Sequence, residues 1–261
     1  MTLTVGSLFS GIGGIELGLE WTGHFRTRWQ VENGAYVTKI ITGHWLEVTH
    51  YGNIQDMDWH TVEPVDVLCG GFPCQPVSLA GKRLAQRDPR WLWPWMAEAV
   101  RLLRPRYVLV ENTPGLLGAG MGDVLGDLAA SGYAAEWQSL TAAAFGAPHI
   151  RERVFIVAYP DSLTGLQENS ISRPVREDQN AWDDACRISG SERAELGYVF
   201  GSHPPRFNWP VYPSRIIGVA DGFPHRVDRM RALGNAVVPQ MAQWIGEQLW
   251  RFHQEVTLHD A

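Results

Sequence analysis

One stretch limits what this chain can become. An apolar run, Val65-Asp66-Val67-Leu68-Cys69, ends on Gly70-Gly71-Phe72-Pro73-Cys74-Gln75-Pro76. A run so short, closed by Gly and Pro, reads as a buried strand. Cys74 then falls in the loop just past the strand's carboxyl end. That edge is where open α/β sheets bind ligands and place chemistry. A second run, Tyr107-Val108-Leu109-Val110, leads directly into Glu111-Asn112. Two strands, each delivering a reactive side chain at its end, point to one site on one sheet edge. An inert structural cysteine is the alternative for Cys74. A thiol between Pro73 and Gln75 in a polar loop is poorly explained by packing.

The chain opens with a β-like run over 2–8, then Phe9-Ser10-Gly11-Ile12-Gly13-Gly14 and an apolar continuation through Trp21. Strand, glycine turn and helix begin a nucleotide-binding βα unit. The pattern is not G-x-G-x-x-G, so a tight turn without a ligand is the competing reading. Thr27-Arg28-Trp29-Gln30-Val31 reads as a short strand ending in Glu32, about twenty residues after the glycines, where such folds set a carboxylate on ribose hydroxyls. A helix-capping glutamate is the other reading.

Further along, helices are expected over 34–46, 91–103, 122–130 and about 239–252, with a strand end near 50–56 and strands over 133–140 and 154–159. Pro94 falls in a first turn, where it is tolerated, and Gly132 suits a C-terminal cap. Arg151 and Arg153, two apart on an extended segment, should point the same way. Residues 160–212 change character: Ser, Asn, Asp, Glu, Gly and Pro dominate, as in a loop-rich insert. The residues after the last helix look frayed.

Composition excludes several classes. With 261 residues, 45% hydrophobic and 19% charged, the chain can bury a large α/β core. It has no long uncharged apolar stretch and no secretory leader, so no membrane partner and a cytoplasmic location are expected. Cys69, Cys74 and Cys186 show neither zinc spacing nor a disulfide framework. The net charge of −6 argues against nucleic acid at first, but distribution counts for more than the sum. Only Arg26, Arg28 and Lys39 of the 22 basic residues lie in the first 80. The bases are nearly all arginine, which suits phosphate and guanine recognition; genomic base composition is an equal account.

Taken in order, Phe72-Pro73-Cys74-Gln75, Glu111-Asn112, Arg151-Glu152-Arg153 and Gly234-Asn235-Ala236-Val237-Val238-Pro239 resemble the cytosine-C5 DNA methyltransferases, in their short bacterial or phage form. The resemblance covers 2–160 and 213–252. It implies a Rossmann-like α/β fold with a mostly parallel sheet. Residues 1–159 would form the catalytic and donor-binding domain, 160–212 a small target-recognition region, and 213–261 a return segment completing the first.

The chemistry accounts for the residue types. Carbon 5 of cytosine is a poor nucleophile until a thiolate adds at carbon 6, and Cys74 matches that nucleophile. Glu111 matches the acid that bonds ring N3 and the amino group, which requires a raised pKa. Arg153 matches the residue that holds the carbonyl, with Arg151 as its partner. The implied donor is S-adenosyl-L-methionine. Phe9 would stack on the adenine, with Gly11, Ile12 and Gly14 lining the turn. Glu32 would take the ribose hydroxyls beside Asn33. Asn53 and Ile54 would meet the adenine, Pro73 and Leu92 would close the pocket, and Asn235, Ala236 and Val237 would complete it. The implied substrate is double-stranded DNA with the target base flipped out. Gln75, Ser78, Lys82, Arg83 and Arg87 would contact it. A monomer is implied, with a cognate restriction endonuclease as companion.

Four departures stand out: Asn53 where the family has Asp, His149 where it has Gln, Trp91 after Arg90 where Gly is common, and a short recognition segment. Other readings are a tRNA cytosine-C5 methyltransferase, whose Cys-Phe-Thr element is missing here, and an inactive DNA-binding relative. An NAD-dependent dehydrogenase would leave Cys74 and 231–239 unexplained.

Overall fold

The computed structural model describes residues 2–73, 88, 90–147, 149–163 and 226–259. Expectations for Cys74, Gln75, Ser78, Lys82, Arg83 and Arg87, and for residues 164–212, lie outside the described residues.

The strands are β1 (Leu3–Leu8), β2 (Phe25–Val31), β3 (Thr49–Tyr51), β4 (Val67–Gly70), β5 (Tyr107–Asn112), β6 (Tyr133–Thr141) and β7 (Glu152–Pro160). They form one sheet in the order β3-β2-β1-β4-β5-β7-β6. The first five are parallel, and β7 runs antiparallel between β5 and β6. The helices are α1 (Gly14–Trp21), α2 (Ala35–His44), α3 (Trp93–Leu103), α4 (Gly115–Gly118), α5 (Met121–Ala130), α6 (Arg226–Asn235) and α7 (Pro239–His259). The mostly parallel α/β sheet implied by the resemblance is the architecture found.

Strand alternation divides the core in two. Val5, Val67, Cys69, Tyr107, Leu109, Phe155 and Val157 face one side, against Ile15 and Leu19 of α1 and Met241, Ile245, Leu249 and Phe252 of α7. Leu8, Trp29, Leu68, Val108, Val110 and Ile156 face the other, against Met96 and Val100 of α3 and Val124 and Leu128 of α5. Burial on both faces is why the central strands read as continuous apolar runs.

Three expectations about element bounds need correction. α7 continues to His259 instead of fraying after Phe252, because Val256 extends the buried stripe of Ile245, Leu249 and Phe252 by another turn. Residues 226–235 are helical, although no helix was expected there; Val227 and Leu233 are exposed, so no apolar face announces the element. α3 begins at Trp93 instead of 91, with Pro94 in its first turn as expected.

Candidate active site

The topology assembles one edge. β1, β2, β4 and β5 are parallel, so Phe9, Glu32, Gly71 and Glu111 all emerge at their carboxyl ends. β7 is antiparallel, so its amino end lies beside the carboxyl end of β5. Glu111 pairs with Phe155 and Asn112 with Val154, which brings Arg153 diagonally next to Glu111 on the sheet.

Arg153 donates from Nε to Glu111 Oε1 at 2.9 Å. Glu111 is buried, and burial pushes its carboxyl up to about 7, against the opposing pull of Arg153 and then Arg151. The raised value expected from the residue pattern is therefore present, and its cause is desolvation. Gly71 makes room for this carboxyl: a methyl at Gly71 would lie 2.5 Å from Glu111 Oε2.

The segment leading to Cys74 is held from behind. Asn112 donates from Nδ2 to the Phe72 carbonyl at 3.1 Å. The Phe72 ring packs edge-on against Trp91, with centroids 5.2 Å apart, and against Trp93 at 5.6 Å. Trp91, a departure from the family pattern, thus fills the space behind Phe72.

Arg151 departs from expectation. Its φ of 35° is left-handed, so the chain is extended only from Glu152 onward. Its Nη2 donates to the Gly234 carbonyl at 2.9 Å and to the Ala236 carbonyl, while its charge also acts on Glu111.

Beside Glu111 and Arg153 opens a pocket of about 580 Å³, within the range of small-molecule sites. Phe9, Gly11, Gly14, Glu32, Asn33, Asn53, Ile54, Pro73, Leu92, Asn235, Ala236 and Val237 all line it. Ile12 is not among the lining residues; it sits in the same turn, between Gly11 and Gly14, which are. Glu32 accepts from the Gly11 amide at 2.8 Å and the Gly34 amide at 2.7 Å. It therefore braces the glycine turn and the residue before α2, and each oxygen keeps a lone pair for a ligand. Asn53 Oδ1 accepts from the Gln55 amide at 3.3 Å, capping a short turn. The return segment meets the turn backbone to backbone: a methyl at Gly14 would lie 2.4 Å from the Val237 carbonyl oxygen. Asp228 and Arg231 of α6 also line the pocket and were not anticipated. Without a recognisable helix there, nothing in the sequence set them one and two turns before Asn235.

Comparison with known proteins bears on this arrangement. The model of the C-5 cytosine-specific DNA methylases matches residues 3–193. The chain belongs to that family. It is 35% identical to the Type II methyltransferase M.NgoBI of Neisseria gonorrhoeae over 60% of this chain and 50% of that protein. It is 34% identical to M.NaeI of Lentzea aerocolonigenes over 96% of this chain and 67% of that one. The chain thus spans from about half to two thirds of these relatives' length. Among solved structures, a putative DNA modification methyltransferase encoded within an E. coli prophage has a TM-score of 0.64 at 18% identity, covering 97% of this chain and all of that one. The Entamoeba histolytica methyltransferase EhMeth has a TM-score of 0.62 at 16% identity, covering 96% and 98%. These two likenesses bear on the fold.

S-adenosyl-L-methionine is the methyl donor of the family, and the pocket's donor set suits it. A carboxylate stands at the end of β2 for hydroxyls, Phe9 offers an apolar face, and glycines at 11 and 14 let the backbone close in. Among the described residues, no group of acidic, His and Cys side chains could hold a metal, and no helix is long and apolar enough to cross a membrane.

Proposed function

We propose that this protein transfers a methyl group to carbon 5 of cytosine in a specific duplex DNA sequence. The observation that carries this reading is the buried Glu111, with a pKa near 7 and Arg153 on its Oε1, one strand from the Phe72-Pro73 segment that runs into Cys74. A carboxyl held near neutrality can lend a proton to a ring nitrogen at physiological pH.

The roles follow from that arrangement. A cytosine flipped out of the duplex enters beside Glu111. Cys74, as thiolate, bonds to carbon 6 while Glu111 bonds N3, so the ring's electrons shift toward carbon 5. Arg153 fixes the cytosine carbonyl. Glu32, Asn33, Asn53, Ile54 and the 235–237 wall would hold S-adenosyl-L-methionine; carbon 5 would take its methyl group as the sulfur–methyl bond breaks and S-adenosyl-L-homocysteine leaves. The proton on carbon 5 then leaves to a base, the bond from Cys74 to carbon 6 breaks, and the ring double bond is restored. Gln75, Ser78, Lys82, Arg83 and Arg87 contact the DNA, and residues 160–212 read the target. The kinship with Type II methyltransferases supports a role in restriction and modification; the reading is completed by a restriction endonuclease as companion and a cytoplasmic monomer.

The test is to express the protein in a host lacking cytosine methylation and map 5-methylcytosine in its DNA and RNA. Methylation confined to one recurring DNA sequence is expected. Modification of RNA alone, or none, would contradict the reading.

A further inference from the structure

Arg151 does not line the pocket, yet it joins its two halves. Its Nη2 reaches the carbonyls of Gly234 and Ala236, the residues on either side of Asn235. Those carbonyls lie at the carboxyl end of α6, where intrahelical donors run out and a cation is favoured. Val237 follows at once and sits against Gly14. In the other direction along the chain, Arg153 stands on Glu111 at 2.9 Å. Only Glu152 separates the two arginines, and it is held in the sheet by pairing with Thr141. The left-handed φ of Arg151 turns it out of the line of the strand; such a conformation in a non-glycine residue is costly and persists where the surroundings demand it.

We propose that Arg151 is a positioning residue for the methyl donor: it clamps the 234–236 wall of the donor pocket to the strand that carries Arg153. This rests on the donor reading above. Guanidinium suits the task because its fork offers several donors in one plane, whereas an ammonium is a single point of attachment. The clamp makes Asn235 dependent on Arg151, while Arg153 serves the base site.

The test is donor binding to the full chain without DNA, by titration calorimetry with S-adenosyl-L-methionine, with thermal melts to check folding. Arg151→Ala is expected to weaken binding about tenfold or more, the scale of a lost charge-assisted hydrogen bond. Arg151→Gln, which can still reach one carbonyl, should fall between and remains informative if the alanine variant does not fold. Arg101→Ala, an exposed arginine of α3 outside the pocket, should stay within about twofold of wild type. Combining Arg151→Ala, or Arg151→Gln, with Asn235→Ala should be non-additive by about threefold or more, whereas Arg101→Ala with Asn235→Ala should be additive. Wild-type binding with unchanged affinity in the Arg151 variants would overturn the clamp and leave the functional reading standing. So would weakened binding that is additive with Asn235→Ala. A wild-type protein that fails to bind the donor would overturn both.

Discussion

Asn112 Nδ2 lies 3.1 Å from the Phe72 carbonyl, so the strand that ends in Glu111 also anchors the segment that runs into Cys74. The acid and the nucleophile of the proposed reaction are thereby tied through adjacent residues of β5. Asn112→Ala leaves a buried carbonyl without its donor. A loss of about 1–3 kcal/mol in stability is expected. Turnover should drop by about tenfold or more as the Phe72-Pro73 segment loses its anchor. Chemical denaturation and steady-state kinetics on unmethylated genomic DNA measure both.

Glu111 gives a pH signature. Its acid form prevails below about 7, so turnover should decline as pH rises through that value. Glu111→Gln should lower turnover by about 10²–10⁴-fold while donor binding holds. Stability carries the same mark. Burial raises the folded-state pKa from 4.5 to about 7, so the folded protein binds more protons than the unfolded chain between those values. The contribution of Glu111 is full below pH 4.5 and is lost as pH rises toward 7. Urea melts of Glu111→Gln across that window should show a flatter pH dependence than wild type.

Two glycines separate the functions of the site. Gly14→Ala drives a methyl into the Val237 backbone, where nothing flexible can yield. A destabilisation of about 1–3 kcal/mol and weaker donor binding are expected. Gly71→Ala instead meets Glu111 Oε2. It should displace the acid, lower turnover by about tenfold or more and raise its pH midpoint or erase it, with less effect on the melt. Calorimetry with the donor and pH-rate profiles distinguish the two.

Much of this was legible in the chain because strand ends and punctuation coincide. Val67 to Cys69 and Tyr107 to Val110 are apolar on both faces of a buried sheet; the first runs through a Gly-Gly-Phe-Pro loop into Cys74 and the second directly into Glu111. Twelve of the thirteen residues proposed for the donor line one pocket, and Ile12 lies in the glycine turn between two of them. Arg151 was misread because alternation assumes an extended backbone, and a φ of 35° breaks that assumption. Asp228 and Arg231 were missed because α6 presents no buried stripe to reveal it as a helix. The antiparallel insertion of β7, which alone brings Arg153 to Glu111, is a long-range pairing that no local signal encodes.

In the proposed reaction Cys74 forms a bond to carbon 6 of a cytosine in DNA. The direct measurement uses DNA in which the cytosines carry fluorine at carbon 5, incubated with the protein and S-adenosyl-L-methionine. Fluorine cannot leave as a proton does, so the adduct cannot resolve. A denaturation-resistant protein–DNA complex is expected, with mass spectrometry placing the nucleotide on Cys74 and no such complex from Cys74→Ser. A complex that survives in Cys74→Ser, or methylated product from wild type with no trapped adduct, would contradict it.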